Sequence, residues 1–150
     1  MAVRMFKANG PTHIEFYQKT ASTDFAFDEP VCFTTTGRLI AYTPGAVQPV
    51  LGLCKKAVAS TDSDYASTTR IPVEVGNQDT EYLFDASTTA AALTDCGEFV
   101  DYVAATRSVN VGVSTEDDVF VTQFISTTLV VGKWARRVVS NNLNTAFTNA

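Results

Sequence analysis

From residue 31 onward, apolar positions fall in short runs separated by glycine, proline and small polar residues, the pattern of strands joined by turns rather than of amphipathic helices. Residues 31–36 and 38–42 read as a hairpin about Gly37, and Thr43-Pro44-Gly45 has the order of a type II turn. Residues 50–58 read as a strand in which Gly52 marks a close backbone approach. Residues 60–69 have the composition of an exposed loop. Residues 71–75 and 80–84 read as a second hairpin around 76–79. Strands are also predicted over 99–103, 108–113, 119–125 and 129–139. Val109, Val111 and Val113 alternate with Asn110 and Gly112, a period of two that defines one face. In 119–125, Val119, Val121 and Gln123 alternate with Phe120, Thr122 and Phe124, which predicts a strand covered on both sides. Only 89–93 has helix propensity, with Gly97 placed to close it.

The first 30 residues break this rhythm. Phe6, Phe16, Tyr17, Phe25 and Phe27 are scattered without steady period between Asn9-Gly10-Pro11 and Glu29-Pro30. Two readings stand: an irregular first strand of the domain, or an extended arm that buries its rings on a neighbour. On the second, a core beginning near Val31 folds without residues 1–28. The expected organisation is an arm over 1–30, a β-rich core over 31–139 and a tail over 140–150. The expected fold is all-β, a small barrel, β-tulip or sandwich with an extended N-terminal arm and at most one short helix. Trp134, inside the apolar run 129–139, is expected to anchor a core or an interface.

Composition supports sheet. The chain has 150 residues, with 21 Thr and 18 Val, both β-branched and suited to a pleated surface. Charged residues are only 18%, so hydroxyls must supply much of the polar surface. Charge is uneven. Residues 57–118 carry two basic and twelve acidic groups, against a whole-chain net of −5. Such an acidic middle repels a phosphate backbone, so no nucleic-acid partner is expected. No apolar run reaches the ~20 residues of a membrane span, and no apolar stretch of a signal peptide follows Arg4 and Lys7. Cys32, Cys54 and Cys96 are odd in number and lie in apolar surroundings, which points to reduced core thiols.

Candidate chemistry is sparse. His13 is the single histidine and has no sequence partner that would make it a catalytic base. One His and three dispersed Cys do not match a zinc motif, and the eight glycines sit singly, so no nucleotide-binding loop and no cofactor are expected. Asp62-Ser63-Asp64 and Glu116-Asp117-Asp118 are acidic clusters that read as solvated loop tips in preference to cation sites.

A run ending Gly37-Arg38-Leu39-Ile40-Ala41-Tyr42 is followed by Val50-Leu51-Gly52-Leu53 and Ile71-Pro72-Val73-Glu74-Val75, then by Gly97-Glu98-Phe99-Val100 and a β-rich close through Trp134. Over residues 31–135 this order resembles the capsid cement, or head decoration, proteins of tailed bacteriophages. The resemblance implies a structural virion protein, not an enzyme, made in the host cytoplasm and bound to the capsid exterior, with the major capsid protein and copies of itself as partners. It also implies that Phe6, Phe16, Tyr17, Phe25, Phe27 and Trp134 serve assembly. A phage tail-tube or neck protein is the second reading, and a carbohydrate-binding β-sandwich using Tyr65, Tyr82 and Tyr102 a third.

Overall fold

The computed structural model describes residues 3–8, 13–46, 48–77, 79–87 and 89–135. In chain order the strands are β1 (Val3–Lys7), β2 (His13–Gln18), β3 (Pro30–Phe33), β4 (Leu39–Ala41), β5 (Gly52–Cys54), β6 (Arg70–Val75), β7 (Glu81–Asp85), β8 (Phe99–Val103), β9 (Ser108–Asn110), β10 (Val119–Ser126) and β11 (Leu129–Trp134). They form two antiparallel sheets, ordered β1-β7-β11-β10-β8-β9 and β2-β6-β5-β3-β4. Neither sheet closes into a barrel, so of the expected all-β architectures the molecule adopts the sandwich.

Alternation along the short strands divides the five-stranded sheet between two cores. Cys32 and Leu53 face the six-stranded sheet and meet Phe84, Tyr102 and Val121 in the larger core. Their neighbours Val31 and Cys54 face the other way and pack with Leu39, Ile71 and Val73 in a second core. Coil roofs that second core. Phe25 and Val58 exchange backbone hydrogen bonds of 2.9 and 2.8 Å across it, and Tyr65 packs against it. Lys19, at the end of β2, is wholly buried there, its Nζ donating to the carbonyls of Tyr65 at 2.9 Å and Ser67 at 2.6 Å. Burying an ammonium is costly unless its donors are met, and the loop's own carbonyls meet them.

The turns at Gly37 and Gly45 form as expected. Both residues have positive φ, and Ala46 N–H donates to the Thr43 carbonyl at 3.0 Å. Gly52 is held as glycine, since a Cβ there would collide with the Glu74 carbonyl of β6.

Other expectations need correction. Residues 71–75 and 80–84 are not a hairpin: β6 lies between β2 and β5, and β7 between β1 and β11, so the connection crosses from one sheet to the other. The buried Thr80 shapes that crossing, its Oγ accepting from Asn77 N–H at 2.9 Å. The alanines near 90 do not make a helix, and a single 3₁₀ turn follows at Leu93–Asp95. Ala91 is buried and donates its N–H to the Thr127 carbonyl at 2.8 Å, a tertiary bond that overrides local propensity. The alternation of β10 breaks at Thr122, where a bulge against β11 returns Phe124 to the main core.

The first 30 residues supply the outermost strand at one side of each sheet, β1 and β2. Val3 is buried in the main core and Phe25 in the second. The expected tail over 140–150 lies outside the described residues.

Candidate interaction surface

β2 borders the five-stranded sheet and, among the described residues, its one strand partner is β6, His13 opposite Val75 through Gln18 opposite Arg70. In the same register Lys19 N–H donates to the Thr69 carbonyl at 3.1 Å, so the hydrogen-bonded positions towards β6 are 13, 15, 17 and 19. The N–H and C=O groups of Ile14 and Phe16 therefore point to the open edge. Their side chains are also open, 50% and 57% exposed. Further along the edge is closed, because Lys19 bridges Leu39 of β4 and Thr20 N–H donates to the Leu39 carbonyl at 3.0 Å.

Ile14 lies opposite Glu74 and Phe16 opposite Pro72, on the sheet face shared by Leu53. Lys55 pairs with Asp28 at 2.5 Å and Glu74 at 3.5 Å, and its Nζ sits 5.1 Å from the centre of the exposed Phe27 ring. Burial works to lower the Lys55 pKa, but Asp28 and Glu74 outweigh it and hold the group above its ordinary value. An apolar pair thus adjoins an ionic cluster of one ammonium and two carboxylates. On the opposite face of β2, His13 Nε2 lies 3.4 Å from Glu15 Oε1, both exposed. Tyr17 turns inward, edge-on to Phe33 at 5.2 Å, and its hydroxyl pKa is raised by burial and then by Glu15.

The six expected assembly residues separate by environment. Phe16 and Phe27 are open near one face, and Phe6 is exposed on β1. Phe25 and Tyr17 belong to the second core. Trp134 sits in the main core, its ring 5.1–6.2 Å from those of Tyr42, Tyr82, Phe84 and Tyr102, and its buried Nε1 meets no hydrogen-bond acceptor among the described residues. Ile14 was legible as a partner of Phe16, since the two alternate with His13 and Glu15.

The acidic clusters do structural work. Asp118, read from sequence as part of a solvated tip, is 1% exposed. Its carboxylate accepts from Tyr42 Oη at 2.6 Å, Gly45 N–H at 3.2 Å and Tyr102 N–H at 3.0 Å, tying β8 to the turn after β4. Asp101 Oδ1 accepts from the N–H groups of Glu116 and Asp117. Asp62 caps Ala59 N–H, and Asp64 pairs with Lys56 at 2.7 Å, which lowers its pKa. Among the described residues no three His, Cys, Asp or Glu side chains are grouped to hold a metal ion. Burial raises the pKa of Cys32 to about 11 and also raises that of Cys54. No protein-family model matches the chain, and no curated protein does either.

Proposed function

We propose that this chain is a structural subunit that binds the outside of a tailed-phage capsid and strengthens contacts between capsomers. The observation that carries the reading is the edge of β2, where backbone groups that no described strand pairs coincide with two exposed apolar side chains. Soluble proteins ordinarily protect such an edge with charge, proline or a covering segment. A subunit that works by docking along sheet edges keeps it open. Support also comes from the ionisable groups: Asp118, Lys19 and Lys55 are engaged in holding loops and sheets together. The order of apolar and glycine motifs over 31–135 points the same way.

The test is co-sedimentation of the purified protein with empty phage shells, with and without Phe16→Ser. Binding that the substitution weakens supports the reading; no binding to any shell overturns it. A tail-tube or neck protein is the second reading and shares the β architecture; assembly of the protein alone into rings or stacked tubes would favour it. The carbohydrate reading loses two of its three rings, because Tyr82 and Tyr102 are buried in the main core.

A further inference from the structure

We infer that the open edge of β2 takes the same edge of a second copy, in an antiparallel register that sets Ile14 opposite Phe16 and Glu15 opposite Glu15. The inference rests on reading this edge as an assembly surface and adds its partner.

Three observations select the occupant and the register. First, among the described residues of β2, Ile14 and Phe16 are the two that direct backbone groups to the open side clear of Gln18 and Lys19, where Leu39 of β4 meets the strand. A two-fold pairing centred on Glu15 uses those two residues of each copy and no others, making four main-chain hydrogen bonds. Shifting the centre to Phe16 brings in Gln18, beside the stretch that β4 meets. Second, the chosen register sets Ile14 against Phe16 twice on one face, an aromatic against a β-branched side chain, among the favoured cross-strand pairs. Third, the ion pairs beside this face set the ammonium of Lys55 between two carboxylates, Asp28 and Glu74, whereas residues 57–118 as a whole carry twelve acids against two bases. A second copy therefore meets less repulsion along this face than over the acidic segment.

The same register carries a built-in brake. Glu15 of one copy faces Glu15 of the other, and like charges directly opposite destabilise a pair. Among the described residues, the ion-pairing partner of each is its own His13, whose Nε2 lies 3.4 Å from Oε1. The contact is weak in dilute solution and fills when a lattice holds copies close together.

The experiment is sedimentation of the full chain over a wide concentration range, for the natural sequence, Phe16→Lys, Phe16→Ser and Glu15→Gln, with circular dichroism confirming the fold of each. The expected result is a concentration-dependent dimer, weakened about 30-fold by Phe16→Lys, the cost of losing a hot-spot side chain. Phe16→Ser weakens it without adding charge, which covers the case where the lysine variant fails to fold. Glu15→Gln tightens the dimer by relieving the opposed carboxylates, an effect no merely structural role of Glu15 produces. A chain that stays monomeric at millimolar concentration overturns the inference, as does a dimer indifferent to Phe16 or weakened by Glu15→Gln. A monomer that still sediments with shells in a Phe16-dependent way leaves the proposed function standing and assigns the edge to a strand of the shell.

Discussion

The two faces of the five-stranded sheet solve one problem in different ways. Towards the other sheet, burial is strand against strand: backbone groups are spent in ladders, and the space between is filled by side chains such as Leu53, Phe84 and Trp134. Away from it, the cover is coil, whose carbonyls have no ladder to join. That roof relies on the buried ammonium of Lys19, on the Phe25–Val58 bridge and on the carboxylate of Asp62. A core closed by sheet can be almost wholly apolar, whereas a core closed by loop must import polar groups to satisfy the loop.

The largest effect tests whether the N-terminal stretch belongs to both cores. Deleting residues 1–28 removes β1, β2, Phe25 and Lys19 together, and the remainder is expected to lose its cooperative thermal transition, contrary to the arm expectation. Next, Phe84→Ala should lower unfolding free energy by about 3–5 kcal/mol, measured by urea titration, because the sheet-closed core cannot collapse around the void. Lys19→Met should cost about 1–3 kcal/mol, because the Ser67 carbonyl loses its donor and the Tyr65 carbonyl keeps only that of Ser22 N–H. Its signature is local: amide exchange should quicken over residues 60–69 more than in β10 and β11. Uniform loss of protection would erase the distinction between the two covers. Tyr42→Phe should cost about 1–2 kcal/mol, as the buried Asp118 carboxylate loses one of its donors.

The smallest effect is alkaline. Cys32 has its pKa raised from 9.0 to about 11 by burial, so the unfolded chain ionises first. Its contribution to stability is complete below pH 9 and is lost as pH rises towards 11. Cys32→Ala should flatten the alkaline limb of a stability profile, and Cys96, less buried, should react first with a thiol reagent.

Much of the fold was legible because its signals were local. Gly37 and Pro44-Gly45 mark turns whose backbone angles those residues favour, and β8 begins and ends where its apolar run does. What escaped depends on partners remote in sequence. The 71–84 segment has a good hairpin pattern, but β2 and β5 occupy both sides of β6. Pairing of that kind is written in β2 and β5, not in the turn. Asp118 looks like its acidic neighbours in sequence and differs because Tyr42 and Gly45, more than 70 residues away, and Tyr102 reach it. For the surface, Phe16 and Phe27 were recognisable as aromatics, but their exposure follows from how far the second sheet extends. The edge itself was half-legible: His13 to Gln18 alternates, yet breakers on its N-terminal side disguise it as irregular.

The crossing between β6 and β7 also sets an order in time. Every strand of the five-stranded sheet has left the ribosome once residue 75 has emerged, while β1 must wait for β7, which begins at residue 81, and for β11, which ends at residue 134. The earlier sheet can therefore form during synthesis with Cys32 and Leu53 still facing water. Until the later sheet arrives, that uncovered face is the surface most prone to misassociation, and the pace of translation between residues 75 and 134 governs how long it lasts.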